Sequence, residues 1–208
     1  MFRVGFYVDG FNLYHAVNAL DEPALKWLDI QSLARSYTRE IDRLERVSFF
    51  TAFNTWDPGK RQRHVNYVTA LEAVGVDVCR SKFDTVDKWC RDEQKYCRFK
   101  EEKQTDTSIA VAILADCYEK RIDRIFLLSA DSDQIPLARH IQERFPEIRF
   151  FLIAPPGRLA EARELGKHAR KVFELTAGRL REHPLPNDIR DGRGRLIAQR
   201  PALYGPRD

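Results

Sequence analysis

Residues 126–133 are FLLSADSD, and this stretch decides how the chain folds. Three large apolar residues end abruptly in a serine and two aspartates, Asp131 and Asp133, that stand one residue apart. A short, uninterrupted apolar run is typical of a strand that is buried on both faces of a parallel sheet. In such a sheet, ligands bind at the carboxyl ends of the strands. The stretch therefore predicts a buried strand that ends at a functional edge.

Strand-like runs alternate with helical patterns along most of the chain. Asp29 and Pro58 are typical residues for the starts of two of the helices. Strands separated by helices indicate βαβ crossovers, so we expect an α/β fold with a central, mostly parallel sheet and helices on both faces. The predicted strands are 2–8, 46–53, 76–83, 124–130 and 148–154, and the predicted helices are 30–41, 58–73, 107–119, 133–144 and 159–167.

Two charged segments depart from this alternation. Residues 84–103 contain twelve charged residues, and we expect a projecting flap or hairpin inserted into a domain that spans residues 1–178. Residues 179–208 contain seven arginines, four prolines and three glycines. This composition is typical of a flexible tail. Such a basic tail is either a solvated terminus or an arm that attracts polyanions.

The overall composition indicates a globular domain. The 208 residues carry a formal net charge of +4, with 43% hydrophobic and 32% charged residues, and such proportions suit a soluble protein with an apolar core. No stretch approaches the roughly 20 apolar residues of a membrane helix. The N-terminal run at 2–8 has the pattern of a strand and lacks the cleavage site of a signal peptide. We therefore expect a cytoplasmic protein with no membrane partner.

The four cysteines favour free thiols, because disulfides are rare in the cytosol. Cys90 and Cys97 are separated by six residues in a polar stretch. Zinc sites usually hold four ligands, with cysteine pairs separated by only two to four residues. The spacing therefore argues against zinc at Cys90 and Cys97.

Aspartates from three separate parts of the chain form the candidate site. Asp9 ends the first strand, and Asp106 begins the buried helix. Asp131 and Asp133 follow the fourth strand. Each of them could instead cap a helix or close a turn, which is the commoner role of aspartate at such positions. Crowded carboxylates raise one another's pKa values unless a cation balances them, so we expect Mg²⁺ or Mn²⁺ if the two strands are neighbours.

A divalent cation held in this way points to phosphodiester chemistry. It can polarise a phosphoryl oxygen and supply a hydroxide-like nucleophile. Asn12 can orient a water or a phosphate, and Ser129 can do similar work or act as a cap. Lys103 can bind a phosphate oxygen or be an ordinary solvated lysine. Glycoside hydrolysis, the other common use of paired carboxylates, needs a protonated acid in an apolar pocket and a sugar cleft, which nothing in the sequence indicates.

Three blocks also match a known family. YVDGFNLY (7–14), EEKQTDTSIAVAILAD (101–116) and LLSADSDQIPL (127–137) occur in the family's order. They closely resemble NYN domains, which belong to the PIN-like ribonuclease superfamily and are also called the LabA-like or DUF88 group. The resemblance covers roughly residues 1–175. It implies a PIN-like Rossmannoid sheet and Mg²⁺- or Mn²⁺-dependent cleavage of RNA.

The resemblance also implies roles for individual residues. Ala130 departs from it, since the family commonly has glycine there, which excludes a backbone conformation that only glycine tolerates. Asp116 is ten residues beyond Asp106 and is turned about 80° from it on a helix, so it could ligate the metal or support the site. The implied metal ligands are Asp9, Asp106, Asp131 and Asp133, and Asn12 and Ser129 match the polar catalytic positions beside them.

The leading hypothesis is a metal-dependent ribonuclease, an endoribonuclease acting on single-stranded or structured RNA. Aromatic side chains of the flap could stack on bases or anchor the hairpin, and its basic residues could follow an RNA backbone. Two alternatives stay open, namely a nucleic-acid-binding regulatory module with little turnover and a 5′-nuclease acting on DNA. PIN-like relatives often self-associate, so a homo-oligomer is also open. The flap aromatics are Trp89, Tyr96 and Phe99, and the candidate substrate-binding residues are Lys103, Lys100 and Arg98.

Overall fold

The computed structural model describes residues 1–54 and 56–205, with the side chains of residues 101 and 102 outside the described part. Strands and helices alternate along this part of the chain. The strands are β1 (Arg3–Asp9), β2 (Arg43–Ala52), β3 (Asp77–Cys90), β4 (Lys95–Lys103), β5 (Arg124–Leu128), β6 (Arg149–Ala154), β7 (Lys171–Glu174), β8 (Asp188–Arg190) and β9 (Leu196–Gln199). The helices are α1 (Gly10–Asn18), α2 (Ile30–Tyr37), α3 (Pro58–Ala73), α4 (Thr105–Tyr118), α5 (Ile135–Arg144), α6 (Arg163–Gly166) and α7 (Ala177–Arg181).

Seven of the described strands form one sheet in the order β4-β3-β2-β1-β5-β6-β7. Every neighbouring pair is parallel except β3 and β4. The predicted α/β fold with a mostly parallel sheet is therefore confirmed. β1 and β5 lie side by side at the centre, and the chain runs outward from them in both directions. This arrangement places the ends of the first and fourth predicted strands together.

The two central strands are buried on both faces, as their uninterrupted apolar runs predict. Phe126 and Leu128 of β5 pack in one core with Phe6 of β1. Leu127 of β5 and Tyr7 of β1 point to the opposite face and pack in a second core. Successive side chains of a strand alternate between the faces of the sheet, so one apolar run supplies both cores.

Helices cover both faces, although two differ from the prediction. Leu13 of α1, Leu33 of α2 and Leu71 of α3 pack in the first core, whereas α4 and α5 pack in the second. Helix α1 begins directly after Asp9, where the sequence indicates only a turn. The helix predicted at 159–167 is reduced to the four residues of α6, because Leu159 is exposed and leaves too short an apolar stripe. Over the residues described, none of the helices has the length and apolar character to cross a membrane.

The charged segment at 84–103 belongs to a long antiparallel hairpin, as predicted. Residues 77–81 of β3 pair with β2. Residues 82–90 continue past the end of β2 and pair with β4. Cys90 and Cys97 lie near its turn, and all four cysteines are free thiols. The hairpin thus forms the edge of the sheet at which β3 and β4 lie.

The predicted flexible tail is ordered where the structure describes it, and this is a correction to the sequence analysis. Residues 179–205 include most of α7 and the two-stranded β8–β9 hairpin. Leu180, Leu185 and Ile189 are buried in the first core, and Trp27 donates from Nε1 to the carbonyl of Pro186 at 2.8 Å. These few apolar residues are widely spaced along the segment, so its composition does not indicate that they are buried. Residues 206–208 lie outside the described part, and the division at residue 178 stays a prediction.

Gly10 allows α1 to start against the sheet. A Cβ at this position would lie 2.5 Å from the ring of Phe49 and 2.5 Å from the carbonyl oxygen of Phe50. We expect Gly10→Ala to lower the free energy of unfolding by about 1–3 kcal/mol, the usual cost of overpacking. Urea unfolding measures the change. Gly178→Ala is the control, because its nearest atom would be 3.7 Å away; equal losses in both variants would contradict the steric explanation.

Candidate metal centre at the strand ends

The candidate site lies where the chain leaves β1 and β5 in opposite directions. Val8 pairs with Leu128, so the next residues, Asp9 and Ser129, lie side by side at the carboxyl ends of the two central strands. The chain from β1 continues toward β2, and the chain from β5 continues toward β6 on the other side. Such a switch point is where open α/β sheets bind their ligands.

Asp9 is held by hydrogen bonds from both strand ends. Only 3% of its surface is exposed. One carboxylate oxygen, Oδ1, accepts from the backbone N–H of Asn12 at 2.9 Å, which caps α1. The other, Oδ2, accepts from the hydroxyl of Ser129 at 3.0 Å. One carboxylate thus caps α1 and lies at the candidate site.

Ser129 and Asn12 tie the two strand ends together. The hydroxyl of Ser129 also accepts from the backbone N–H of Asp131 at 3.1 Å. The amide oxygen of Asn12 accepts from the backbone N–H of Ala130 at 3.0 Å. Ala130 adopts no left-handed conformation, so glycine is not required there. These bonds fix the path of residues 129–131 and set the direction of the carboxylates around it.

Asp131 and Asp133 are separated by one residue in sequence but differ in placement. Asp131 is partly buried, and its Oδ1 accepts from the backbone N–H of Asp133 at 2.9 Å, which caps a short 3₁₀ turn. Asp133 is exposed on the outer side of that turn. The turn separates the carboxylates of Asp131 and Asp133. Only Asp131 lies close to the carboxylates of Asp9 and Asp106.

Gln134 orients Asp106, and the sequence analysis did not identify this residue. Asp106 stands in the first turn of α4, and its Oδ1 accepts from Nε2 of Gln134 at 3.1 Å. Gln134 is buried, and its own Oε1 has no hydrogen-bond partner in the described part of the chain. The only sequence signal is its position directly after Asp133, at the start of α5.

Three carboxylates meet at this point without a balancing cation. One oxygen from each of Asp9, Asp106 and Asp131 lies within 4.8 Å of the others. No lysine or arginine of the described residues forms an ion pair with any of them. Burial, followed by the charges of Asp106 and Asp131, raises the pKa of Asp9 to about 6. Burial and the charge of Asp131 also raise the pKa of Asp106.

The donor set fits a hard divalent cation. All three ligating groups are carboxylate oxygens, which Mg²⁺ and Mn²⁺ prefer over nitrogen or sulfur. A bound cation would favour the ionised form of each acid and remove the repulsion that raises their pKa values. The group can therefore hold a divalent metal, and Asp9, Asp106 and Asp131 are the residues that would do so.

Asp116, the further candidate ligand, lies outside this group, which corrects the prediction. Its buried carboxylate accepts from the hydroxyl of Tyr7 at 2.6 Å, from Arg46 at 3.2 Å and from Arg121 at 3.3 Å. Two arginines thus neutralise it. Ten residues along a helix span about 15 Å, so Asp106 and Asp116 mark opposite ends of α4. The angle of about 80° between Asp106 and Asp116 would allow both side chains on one face of α4. The distance between them along the helix is too large for both to bind one ion.

The three basic residues predicted to bind substrate all lie on β4. Lys100 donates to the hydroxyl of Thr85, and Arg98 lies 3.7 Å from Asp87 across the hairpin. Because side chains alternate along a strand, Lys103 points to the opposite face from Arg98 and Lys100. No described contact joins these residues to the carboxylates, so their roles stay predictions.

An open cleft of about 400 Å³ adjoins the carboxylates. Asp131 and Asn12 line it, and so does Arg158, which is paired with Glu161 at 2.9 Å. The sequence analysis missed Arg158, because it follows a strand that carries no acidic motif. The remaining lining residues are Phe11, His15, Ala130 and Ser132.

Comparison with known proteins gives one family and two solved structures. A family model described as the NYN domain matches residues 3–175. A crystal structure of a protein of unknown function from Vibrio parahaemolyticus superposes with a TM-score of 0.56 at 18% identity, covering 85% of this chain and 94% of that one. Acinetobacter baumannii MurG gives a TM-score of 0.39 at 11% identity over 83% of this chain and 41% of its own, too low to indicate a shared fold. The search of curated proteins gives no match.

The raised pKa of Asp9 predicts a pH-dependent cost to stability. The folded state holds this proton more tightly than the unfolded chain, so ionisation destabilises the fold as the pH rises from about 4 through 6. In EDTA, we expect Asp9→Asn to be more stable than the wild type by about 1–3 kcal/mol near pH 8, and equal to it near pH 4.

Urea unfolding at the two pH values measures this difference. Asp133→Asn is the matched control, since it removes the same charge from an exposed position in the short turn that follows Asp131. We expect its effect to stay within about 0.5 kcal/mol at both pH values. A gain for Asp9→Asn that is the same near pH 4 and near pH 8 would refute the electrostatic origin.

Proposed function

Because the chain belongs to the NYN domain family, whose model matches residues 3–175, we propose that it is a metal-dependent ribonuclease that hydrolyses RNA phosphodiester bonds. The family places it among PIN-like nucleases, in agreement with the resemblance of its three sequence blocks. The proposed catalytic site is the group formed by Asp9, Asp106 and Asp131, with Asn12 and Ser129 beside it.

The observation that carries the proposal is the meeting of three carboxylates within 4.8 Å of one another. A structural role would leave these charges uncompensated, because none of them has an ion-pair partner among the described residues. Burying like charges costs free energy unless a cation is bound. A divalent ion between the carboxylates resolves this conflict and connects the site to nuclease chemistry.

The roles of the chain's own residues follow from their contacts. A bound Mg²⁺ or Mn²⁺ supplies Lewis-acid activation of the phosphoryl oxygen and a more acidic water. Asp9 is oriented by the hydrogen bonds that it accepts from Asn12 and Ser129. Asp131 is oriented by the bond that it accepts from the backbone N–H of Asp133. Gln134 holds Asp106 toward them. The protein thus fixes the positions of the ligands before substrate arrives, which lowers the reorganisation needed during reaction.

The surroundings of the group suit a charged polymer. Arg158 lines the cleft together with Asp131 and offers a cation to a phosphate. Asp133, exposed beside the group, is proposed to assist through bound water, since Mg²⁺ usually keeps several waters. The basic residues Lys103, Lys100 and Arg98 of the hairpin are proposed to contact the RNA backbone. Internal cleavage, cytoplasmic location and self-association remain predictions from the sequence.

Metal binding can be tested without any activity measurement. We expect Mn²⁺ or Mg²⁺ at about 100 times its dissociation constant to stabilise the folded protein by about 2.7 kcal/mol. For a chain of this size that corresponds to a rise in Tm of about 5–10 °C. Asp131→Asn should lose most of the rise. If the wild type and Asp131→Asn respond equally to both ions, the metal lies elsewhere.

Cleavage can be tested on labelled RNA and DNA oligonucleotides with Mn²⁺, Mg²⁺ or EDTA. We expect metal-dependent cleavage of RNA by the wild type, and a loss of at least about 100-fold in Asp131→Asn because a direct ligand is removed. Glu143→Gln, which neutralises an exposed acid on α5, serves as the charge-matched control and should keep full activity.

The same assay separates the alternatives. Preferential cleavage of DNA would favour a DNA nuclease. Binding of RNA with no cleavage in any metal would favour a regulatory module. Equal degradation by wild type and Asp131→Asn would indicate a contaminating nuclease and reject the catalytic proposal.

A further inference from the structure

Aromatic rings from three separate elements meet beside the candidate metal centre. Phe11 of α1 lies 6.0 Å from Phe83 of β3, and Phe83 lies 5.0 Å from Trp56 in the segment between β2 and α3, measured between ring centroids. We call Phe11, Phe83 and Trp56 the ring surface. The three residues are far apart in sequence, so only the fold brings them together.

The ring surface is open to solvent. Phe11 is 38% exposed and Trp56 is 49% exposed, and Phe83 is half-buried between them. The planes of neighbouring rings are inclined by 63° and 87°, so the rings meet edge to face rather than stacking on one another. Large apolar side chains that are exposed in contact with one another are a known feature of binding surfaces.

The ring surface is continuous with the metal centre. Phe11 follows Asp9 by two residues and lines the cleft together with Asn12 and Asp131. A polymer bound with one phosphate at the carboxylates would therefore reach Phe11 first and then Phe83 and Trp56. The surface extends from the place where the proposed reaction occurs.

Cations follow the ring surface along the chain. Lys60 and Arg63 stand in the first two turns of α3, which begins two residues after Trp56. Burial, followed by the charge of Arg63 and a smaller effect of Lys60, lowers the pKa of Lys26. Asp57, which caps α3, lies 3.8 Å from Lys60 and offsets part of this charge. The remaining positive charge complements a phosphate backbone.

We propose that the ring surface stacks unpaired bases of single-stranded RNA, whose backbone runs from the carboxylates toward Lys60 and Arg63. Aromatic side chains offer flat faces that any base can cover, so such stacking tolerates sequence while requiring unpaired bases. Bases within a duplex are already stacked and cannot insert. This inference rests on the proposed ribonuclease function and specifies its substrate as single-stranded.

The aromatic residues near the hairpin turn, Trp89 and Tyr96, do not extend this surface. Their rings contact each other at 5.4 Å between centroids. Trp89 is six positions beyond Phe83 along β3, a distance of about 20 Å in a strand. Trp89 is as exposed as Trp56 but lies far from the cleft. It therefore provides a matched control for the loss of an exposed tryptophan.

Binding in EDTA tests the inference without requiring cleavage. Fluorescence anisotropy would follow a labelled RNA of about twelve nucleotides, alone and annealed to its complement. We expect the wild type to bind the single strand at least 10-fold more tightly than the duplex. Trp56→Ala should weaken single-strand binding by about 5- to 100-fold, the usual range for one stacked base. Phe11→Leu should weaken it similarly, Trp56→Phe should restore most of it, and Trp89→Ala should leave it within twofold.

The outcomes separate this inference from the proposed function. If Trp56→Ala and Phe11→Leu bind like the wild type, or if Trp89→Ala loses as much, the stacking surface is rejected while the cleavage assay stands. If the wild type binds single strand and duplex equally, the single-strand preference is rejected. If stacking holds but no metal supports cleavage, the chain binds RNA without hydrolysing it. Thermal unfolding checks that each variant is folded, and Trp56→Phe supplies the rescue that a misfolded variant could not show.

Discussion

The hydrogen-bonded carboxylate of Asp9 is the constraint on which the site depends. It accepts from the start of α1 and from Ser129 at the end of β5, so it joins the two strands at the point where their continuations diverge. The same carboxylate is buried beside two others, and its raised pKa records the cost. Burying like charges in this way costs free energy unless a cation balances them.

Helix α4 carries an aspartate near each end, and their surroundings assign them different roles. Asp116 is buried, but Arg46 and Arg121 neutralise it and Tyr7 donates to it. Asp106 has the amide of Gln134 and no ion-pair partner among the described residues. Both aspartates are buried to some degree, so burial alone does not identify a ligand. The distinguishing feature is whether the protein itself supplies the opposite charge.

Positive charge on this protein does not by itself mark the nucleic-acid surface. Arg181 pairs with Glu22 at 2.5 Å, and Arg195 pairs with Asp191 at 2.7 Å, so part of the charge of the C-terminal segment is used within the fold. The candidate substrate path is instead defined by exposed rings that begin at the cleft and end near cations of α3. In the proposed complex with RNA, phosphate contacts would provide attraction, whereas the rings would add a requirement for unpaired bases.

The sequence by itself determined the α/β class, the five strands β1, β2, β3, β5 and β6, and the aspartates at the ends of β1 and β5. A buried strand needs an apolar run, and its end is where polar residues follow. Only the tertiary structure decided which acids meet. The strand order brings Asp9 and Asp131 together, a single turn directs Asp133 outward, and the length of α4 separates Asp116. Gln134, the ring surface and the ordered C-terminal segment likewise arise from contacts between residues distant in sequence. Local patterns fix what each segment prefers, but they carry no information on which segments pack together.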